Sequence, residues 1–137
     1  LLMRESSFIQ GGALNSYNEK TNFEGKKFLA INKYKILGTT INSILNNKIS
    51  KCPNYVKIDV DGIEHLILSK ANNLLKNKEL KSILIEVNEN YKRQLNMVLK
   101  IMKKNKFKLF TKEQSNLNNI PLKFKKTYNY IFVRRKN

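Results

Sequence analysis

From residue 55 onward the apolar positions switch between a period of two and the helical period, and each switch marks an element. Residues 55–60 (Tyr-Val-Lys-Ile-Asp-Val) are β-branched and apolar enough for a strand. Residues 64–75 place Leu66, Ile67, Ala71, Leu74 and Leu75 at helical spacing and predict a helix. Residues 82–87 (Ser-Ile-Leu-Ile-Glu-Val) form a nearly continuous apolar run, the pattern of a strand covered on both faces. The clearest helix spans 91–104, where Tyr91, Leu95, Val98, Leu99 and Met102 share a stripe and lysines cover the other side. Residues 107–110 and 128–134 read as two further strands, separated by a polar, Asn-rich loop over 111–126 that holds Pro121.

Strand, helix, strand, helix, strand predicts a parallel sheet with right-handed crossovers. No helical pattern lies between the last two strands, so the final one is expected to return antiparallel at the sheet edge. The expected fold class is α/β with a mixed sheet.

The first 52 residues are less regular. Residues 1–25 are polar and turn-rich, and Gly11-Gly12-Ala13-Leu14-Asn15-Ser16 reads as a loop whose small residues allow close backbone approach. Residues 27–31 and 34–37 predict two short strands with Asn32-Lys33 as a tight turn. Thr39 or Thr40 can cap a short helix with Ile41, Ile44 and Leu45 on its apolar face, and residues 46–53 form a linker. There is no internal repeat. The expected organisation is one domain over 1–137, with a variable region at 1–52 and a βαβαβ-β core at 53–137.

Length and composition narrow the function classes. With 137 residues, 41% of them hydrophobic, the chain can build one core and is too short for two. No apolar run approaches the roughly 20 residues that cross a bilayer, and nothing at the start resembles a secretory signal. The single Cys52 excludes an internal disulfide framework and a cysteine-built metal site. A reducing, cytoplasmic setting is therefore expected. The net charge of +17 points to phosphate-bearing partners. Yet only four of the 27 cations are arginine, and the lysines are spread from Lys20 to Lys136 without a dense block. Arginine would be favoured for bidentate phosphate or guanine recognition. Lys, Asn and Ile abound together, as in products of AT-rich genomes, and that accounts for the charge without nucleic acid.

Acidic groups are scarce, and their placement carries the chemistry. The only two aspartates and the only histidine fall in Asp59-Val60-Asp61-Gly62-Ile63-Glu64-His65, at the junction of a strand and a helix. Open α/β sheets hold their ligands at that edge. An aspartate closing a buried strand is costly unless it is hydrogen-bonded, paired or functional. Asp61 should share its strand face by period two, unless the turn begins early and Asp61-Gly62 is only a turn. Glu64 opens the helix, where the free amides and the dipole stabilise a carboxylate. Glu86 repeats the arrangement on the next strand and should reach Asp59. Such a pair could bind a divalent cation, hold a hydroxyl or share a proton as a general base. Glu89 reads as a helix-start residue. His65 would be a natural base, although a lone histidine at a helix start is more often exposed. The same Asp-x-Asp-Gly run mimics the nucleophile motif of haloacid-dehalogenase-like phosphatases. That chemistry needs a later acidic pair for magnesium, and no aspartate follows Asp61.

The run Lys57-Ile58-Asp59-Val60-Asp61-Gly62-Ile63-Glu64 resembles the Lys-Ile-Asp-Val-Glu-Gly-x-Glu signature of FkbM-type methyltransferases, with Asp61 where Glu is usual. Ile83-Leu84-Ile85-Glu86-Val87 is similar to the family's following strand, and Tyr130-Ile131-Phe132-Val133 to its last. Asn42, in Gly38-Thr39-Thr40-Ile41-Asn42-Ser43-Ile44-Leu45, stands where that family usually has Asp. The resemblance implies a partial class I methyltransferase (Rossmann-like) sheet with an antiparallel last strand. It also implies methyl transfer from S-adenosylmethionine to a hydroxyl of a sugar or other small metabolite. The glycine-rich loop and the ribose-binding acid of such enzymes have no counterpart here, and Gly11-Gly12 follows no predicted strand. The chain is accordingly expected to be a C-terminal part of a methyltransferase, with a reading frame that extends upstream of Leu1 or starts at Met3. On this reading Asp59, Glu64, Glu86 and His65 are the catalytic candidates, Asp59 and Asp61 the cofactor-side ones, and a divalent metal is an open option. The partner is a small-molecule or glycan acceptor, with no membrane span. The rivals are a basic module for RNA or an acidic polymer, without catalysis, and an inactive remnant.

Overall fold

The computed structural model describes residues 1–9, 13–114 and 120–135. Gly11, Gly12 and part of the expected Asn-rich loop lie outside the described residues. The order of elements is β1 (Leu2–Glu5), β2 (Ser16–Tyr17), β3 (Asn32–Lys35), α1 (Ile41–Asn46), β4 (Tyr55–Ile58), α2 (Glu64–Ser69), α3 (Asn72–Lys76), β5 (Ser82–Asn88), α4 (Lys92–Lys104), β6 (Phe107–Glu113) and β7 (Thr127–Arg134).

The C-terminal sheet has the order β4-β5-β7-β6. β4 and β5 are parallel, and β7 runs antiparallel to both its neighbours. The crossover and the reversed last strand are as expected, but β7 is internal and β6 takes the edge. The residues explain the exchange. β7 carries buried Tyr130 and Phe132 on one face and half-buried Ile131 and Val133 on the other, so it can be flanked on both sides. β6 exposes Lys108, Leu109 and Phe110 and tolerates solvent.

α2 and α4 lie against the face that presents Ile58, Ile83, Ile85, Val87, Tyr130 and Phe132, and Leu68, Val98 and Met102 complete the core. On β5, buried residues alternate with half-buried Ser82, Leu84 and Glu86, so only one face is fully covered. The continuous apolar run had pointed to two covered faces. β4 was expected to be buried and to continue to residue 60; it stops at Ile58, pairs only with β5 and leaves Tyr55 74% exposed.

Two helical expectations also shift. The 64–75 segment divides at Lys70-Ala71. Ser69 Oγ donates back to Leu66 O at 2.7 Å, a bond that competes with helix continuation. α3 then starts afresh, with the Asn73 N–H donated to Asn42 Oδ1 at 3.1 Å in α1. In α4, Leu99 is 39% exposed, while Gln94 joins the buried stripe. The cap is as expected: Thr40 Oγ1 accepts from Ser43 N at 3.0 Å.

The N-terminal region departs furthest. The strand expected at 27–31 does not form, and β3 occupies Asn32–Lys35, so it keeps Tyr34-Lys35 of the second expected strand and takes in Asn32-Lys33, where a turn was expected. It pairs antiparallel with β1, which also pairs with β2. Glu5 holds the arrangement, accepting from Asn32 Nδ2 at 3.1 Å and Tyr34 Oη at 2.8 Å. Residues 27 and 29 positions apart decide these strands, and local patterning carries no trace of that.

Candidate functional site

Ile58 of β4 and Ile85 of β5 are register partners in a parallel pair. The next residue on each chain is an acid, Asp59 and Glu86. By the pleat, both stand on the face opposite the isoleucines. The structure therefore brings together the two carboxylates that the sequence pairs, at the C-terminal rim of adjoining strands. Asp59 is exposed and ion-paired with Lys57 Nζ at 3.0 Å. Glu86 is half-buried. Burial pushes its carboxyl up, and the charges of Asp59, Glu64 and Asp61 push it further, to about 7 against the partial relief of Lys57.

Asp61 is not on that strand face. The strand has ended, and Asp61 sits in the left-handed region at φ 57°, a conformation that Asp adopts more readily than most residues. Its carboxylate accepts from Leu14 N at 2.8 Å and ties the turn to the N-terminal region. Gly62 follows at φ 107°, so close to the chain that an added Cβ would lie 2.6 Å from Phe23 Cα. The acidic cluster is thus wrapped by the turn rather than strung along a strand.

Glu64 is fully buried behind this turn. Its Oε1 accepts from Val60 N at 3.0 Å and Gly62 N at 3.2 Å, and its Oε2 from the Gln94 amide. Burial raises its pKa against these bonds, which favour the charged form. Gln94 was missed in the sequence because it lies in an apolar stripe, where a polar residue is itself the signal. A second bond, from Asn88 N to Gln94 Oε1 at 2.8 Å, lets one side chain brace both strand ends.

His65, expected to be exposed, is 1% exposed. Its ring meets Tyr91 edge-on at 5.5 Å, and no protein group bonds Nδ1. Burial lowers its pKa, with Arg93 adding to the effect, and both favour the neutral ring. Glu89 is not a helix-start residue but a cross-link, accepting from Lys112 Nζ at 2.6 Å and from the Tyr130 hydroxyl. Those two bonds lower its pKa.

The polar row continues beyond Glu86. Asn129 of β7 is its direct register partner, and Thr127 pairs with Asn88 two positions further on. Among the described residues no group of three or more His, Cys, Asp or Glu side chains could hold a metal ion. No helix there is long and apolar enough to cross a membrane. A rim with a carboxyl poised near neutrality beside a fixed carboxylate can take up a proton or attract a cation.

The family model described as Methyltransferase FkbM domain matches residues 6–109. No curated protein and no solved structure matches the chain.

Proposed function

The chain belongs to the FkbM methyltransferase domain family, and from that premise we propose that it moves a methyl group from S-adenosylmethionine to a hydroxyl on a small metabolite or glycan. The four-stranded order with its inserted antiparallel β7 supports a partial class I, Rossmann-like arrangement, with residues 53–137 as the core and 1–52 as a variable region. The observation that carries the reading is the Asp59–Glu86 pair, Asp59 just past the end of β4 and Glu86 near the C-terminal end of β5, with Glu86 held up to about 7.

S-adenosylmethionine, when bound, supplies a methyl group on a sulfonium cation. The rim of Asp59 and Glu86 suits that positive end. Among the described residues, though, no strand runs through a glycine-rich loop into a helix to cradle the adenosine. Asp59 is accordingly the position offered toward the cofactor, while Asp61, expected beside it, is engaged with the Leu14 amide and shapes the turn. Glu86 takes the acceptor's hydroxyl proton on a carboxylate oxygen while the acceptor's own oxygen bonds to the methyl carbon and the carbon–sulfur bond breaks, its electron pair leaving with the thioether sulfur. The raised proton affinity of Glu86 matches neutral pH. Asp59, steadied by Lys57, keeps that affinity high through its charge and orients the acceptor. Glu64 is a positioning residue, since it holds the turn and is closed off from solvent. His65, equally buried, stands behind the rim.

The test is methyl transfer by the full gene product from labelled S-adenosylmethionine to a panel of hydroxylated acceptors, with Glu86→Gln and Asp59→Asn. General-base loss predicts a kcat drop of about 100-fold or more for Glu86→Gln. Unchanged turnover in both variants would reject the assignment. A second reading, a basic binding surface, is favoured by one observation. Lys76, Lys78, Lys104, Lys106 and Arg135 line a cavity of about 490 Å³ with no carboxylate in its wall. It predicts RNA binding that falls steeply with salt and no methyl transfer.

A further inference from the structure

The end of the sheet away from the acidic rim carries the opposite charge. Lys76, Lys78, Lys104, Lys106 and Arg135 line a cavity of about 490 Å³ there, and no carboxylate stands in its wall. β7 sets the separation, since Asn129 lies beside Glu86 and Arg134 stands at the far end, roughly 17 Å away at ~3.4 Å per residue. The frame is firm. Arg134 donates to the carbonyls of Leu75, Asn77 and Leu80 and lies over the Phe107 ring at 4.5 Å, tying the end of β7 to the end of α3. Arg135 N donates to Lys106 O at 2.9 Å, and Lys106 N to Lys103 O at 3.2 Å, joining that strand to the end of α4. Carbonyls at both helix ends thus have backbone or guanidinium partners, so the lysines are not needed as caps. Among the described residues none of the five cationic side chains has a hydrogen bond or an ion pair, and all five are exposed. Lys106 also sits at φ 62°, where Gly or Asn ordinarily follows a helix. A lysine there costs stability and keeps a cation beside the cavity. Like charges gathered around one hollow repel and call for an anion.

We propose that this cavity binds a compact polyphosphate group, several linked phosphates carried on a small ligand or free, at a site separate from methyl transfer. Charge, volume and wall chemistry each restrict the occupant. Four of the five cations are lysines, which meet phosphate as point charges and suit a chain of phosphates better than one oxyanion gripped bidentately. The volume falls within the roughly 300–1,000 Å³ of clefts that enclose small ligands. No aromatic ring lines the wall, so no platform exists for stacking a base, and single-stranded RNA lacks the contact that usually holds it. The cations surround one hollow instead of tracking along the surface, which disfavours a duplex. The inference does not depend on the methyl-transfer reading, because the two sites occupy opposite ends of the sheet. RNA in the same cavity is the rival outcome of the test.

Calorimetric titration of the full gene product tests this, with tripolyphosphate, orthophosphate, citrate, and single-stranded and duplex RNA at one fixed ionic strength. Lys78→Gln/Lys106→Asn removes two cations that lie outside the helices, and Asn suits the left-handed backbone at 106. Lys20→Gln/Lys27→Gln removes the same charge from exposed positions in the N-terminal region. The expected result is one tripolyphosphate per chain, bound more tightly than orthophosphate or citrate and more weakly as salt rises. Lys78→Gln/Lys106→Asn should weaken it about ten-fold or more, and Lys20→Gln/Lys27→Gln by no more than about two-fold. Without ligand the urea midpoint of Lys78→Gln/Lys106→Asn should hold or rise, because like charges have been removed from one another. A lower midpoint would assign these lysines to the fold and overturn the site. Equal loss of binding in both variants, citrate binding as tightly as tripolyphosphate, binding by RNA alone, or no binding by any probe would overturn it as well.

Discussion

Replacing Glu86 by glutamine removes a charge that the fold resists, and the effect on stability has a definite sign and pH window. Ionising a carboxyl pushed from 4.5 up to about 7 costs roughly 3.4 kcal/mol at ~1.4 kcal/mol for each pH unit. The side chain is only half-buried, and solvent screening reduces this to about 1–2 kcal/mol. A folded-state pKa above the unfolded value means that the native state binds the proton more tightly. Stability from this group is therefore complete below pH 4.5, declines as pH rises, and is gone above about 7. Glutamine keeps the shape and has no such slope. Urea denaturation of wild type and Glu86→Gln from pH 4 to 9 should show similar stability at the acid end. By pH 8 the variant should be more stable by about 1–2 kcal/mol. Asp59→Asn should flatten part of the wild-type slope, because its charge contributes to holding Glu86 up. A difference that does not change with pH, or a Glu86→Gln protein less stable at pH 8, would refute both the coupling and the burial from which it is derived.

Two further outcomes test the frame around the site. Gly62→Ala forces a side chain into φ 107° and onto the backbone at Phe23, so it should cost about 2–3 kcal/mol and free the N-terminal loop, which limited proteolysis near Phe23 would register. Arg134→Lys gives up a guanidinium that reaches the carbonyls of Asn77 at 2.7 Å, Leu80 at 2.8 Å and Leu75 at 3.1 Å. It should lose about 1–3 kcal/mol, and an unchanged melting temperature would show those contacts to be incidental.

How legible the site was depended on the distance between the groups that form it. Asp59 and Glu86 could be paired in advance because each ends an apolar strand with a helical pattern between, and parallel neighbours align such ends. Glu64 was visible as a helix-start acid, but its burial was not, because that depends on Gln94 thirty residues later. Asp61 had two local readings, a continued strand face or an early turn, and the turn prevails, since the left-handed backbone begins at that residue. His65 was expected in solvent because a lone histidine at a helix start is usually exposed, whereas Tyr91 closes over it from the next crossover.

The sequence by itself determined the alternation of strands and helices after residue 55, the reversed final strand, a threonine cap at Thr39 or Thr40 and the gathering of scarce acids at one junction. These follow from periodicity and from the local cost of placing polar groups, both of which are written within a few residues. The tertiary structure alone decided that β7 lies inside the sheet, that Asn32–Lys35 pairs with Leu2–Glu5, and that Glu86 is half-shielded among like charges. Those outcomes turn on which distant surfaces meet, and on how much water remains between them, which no local pattern of residues encodes.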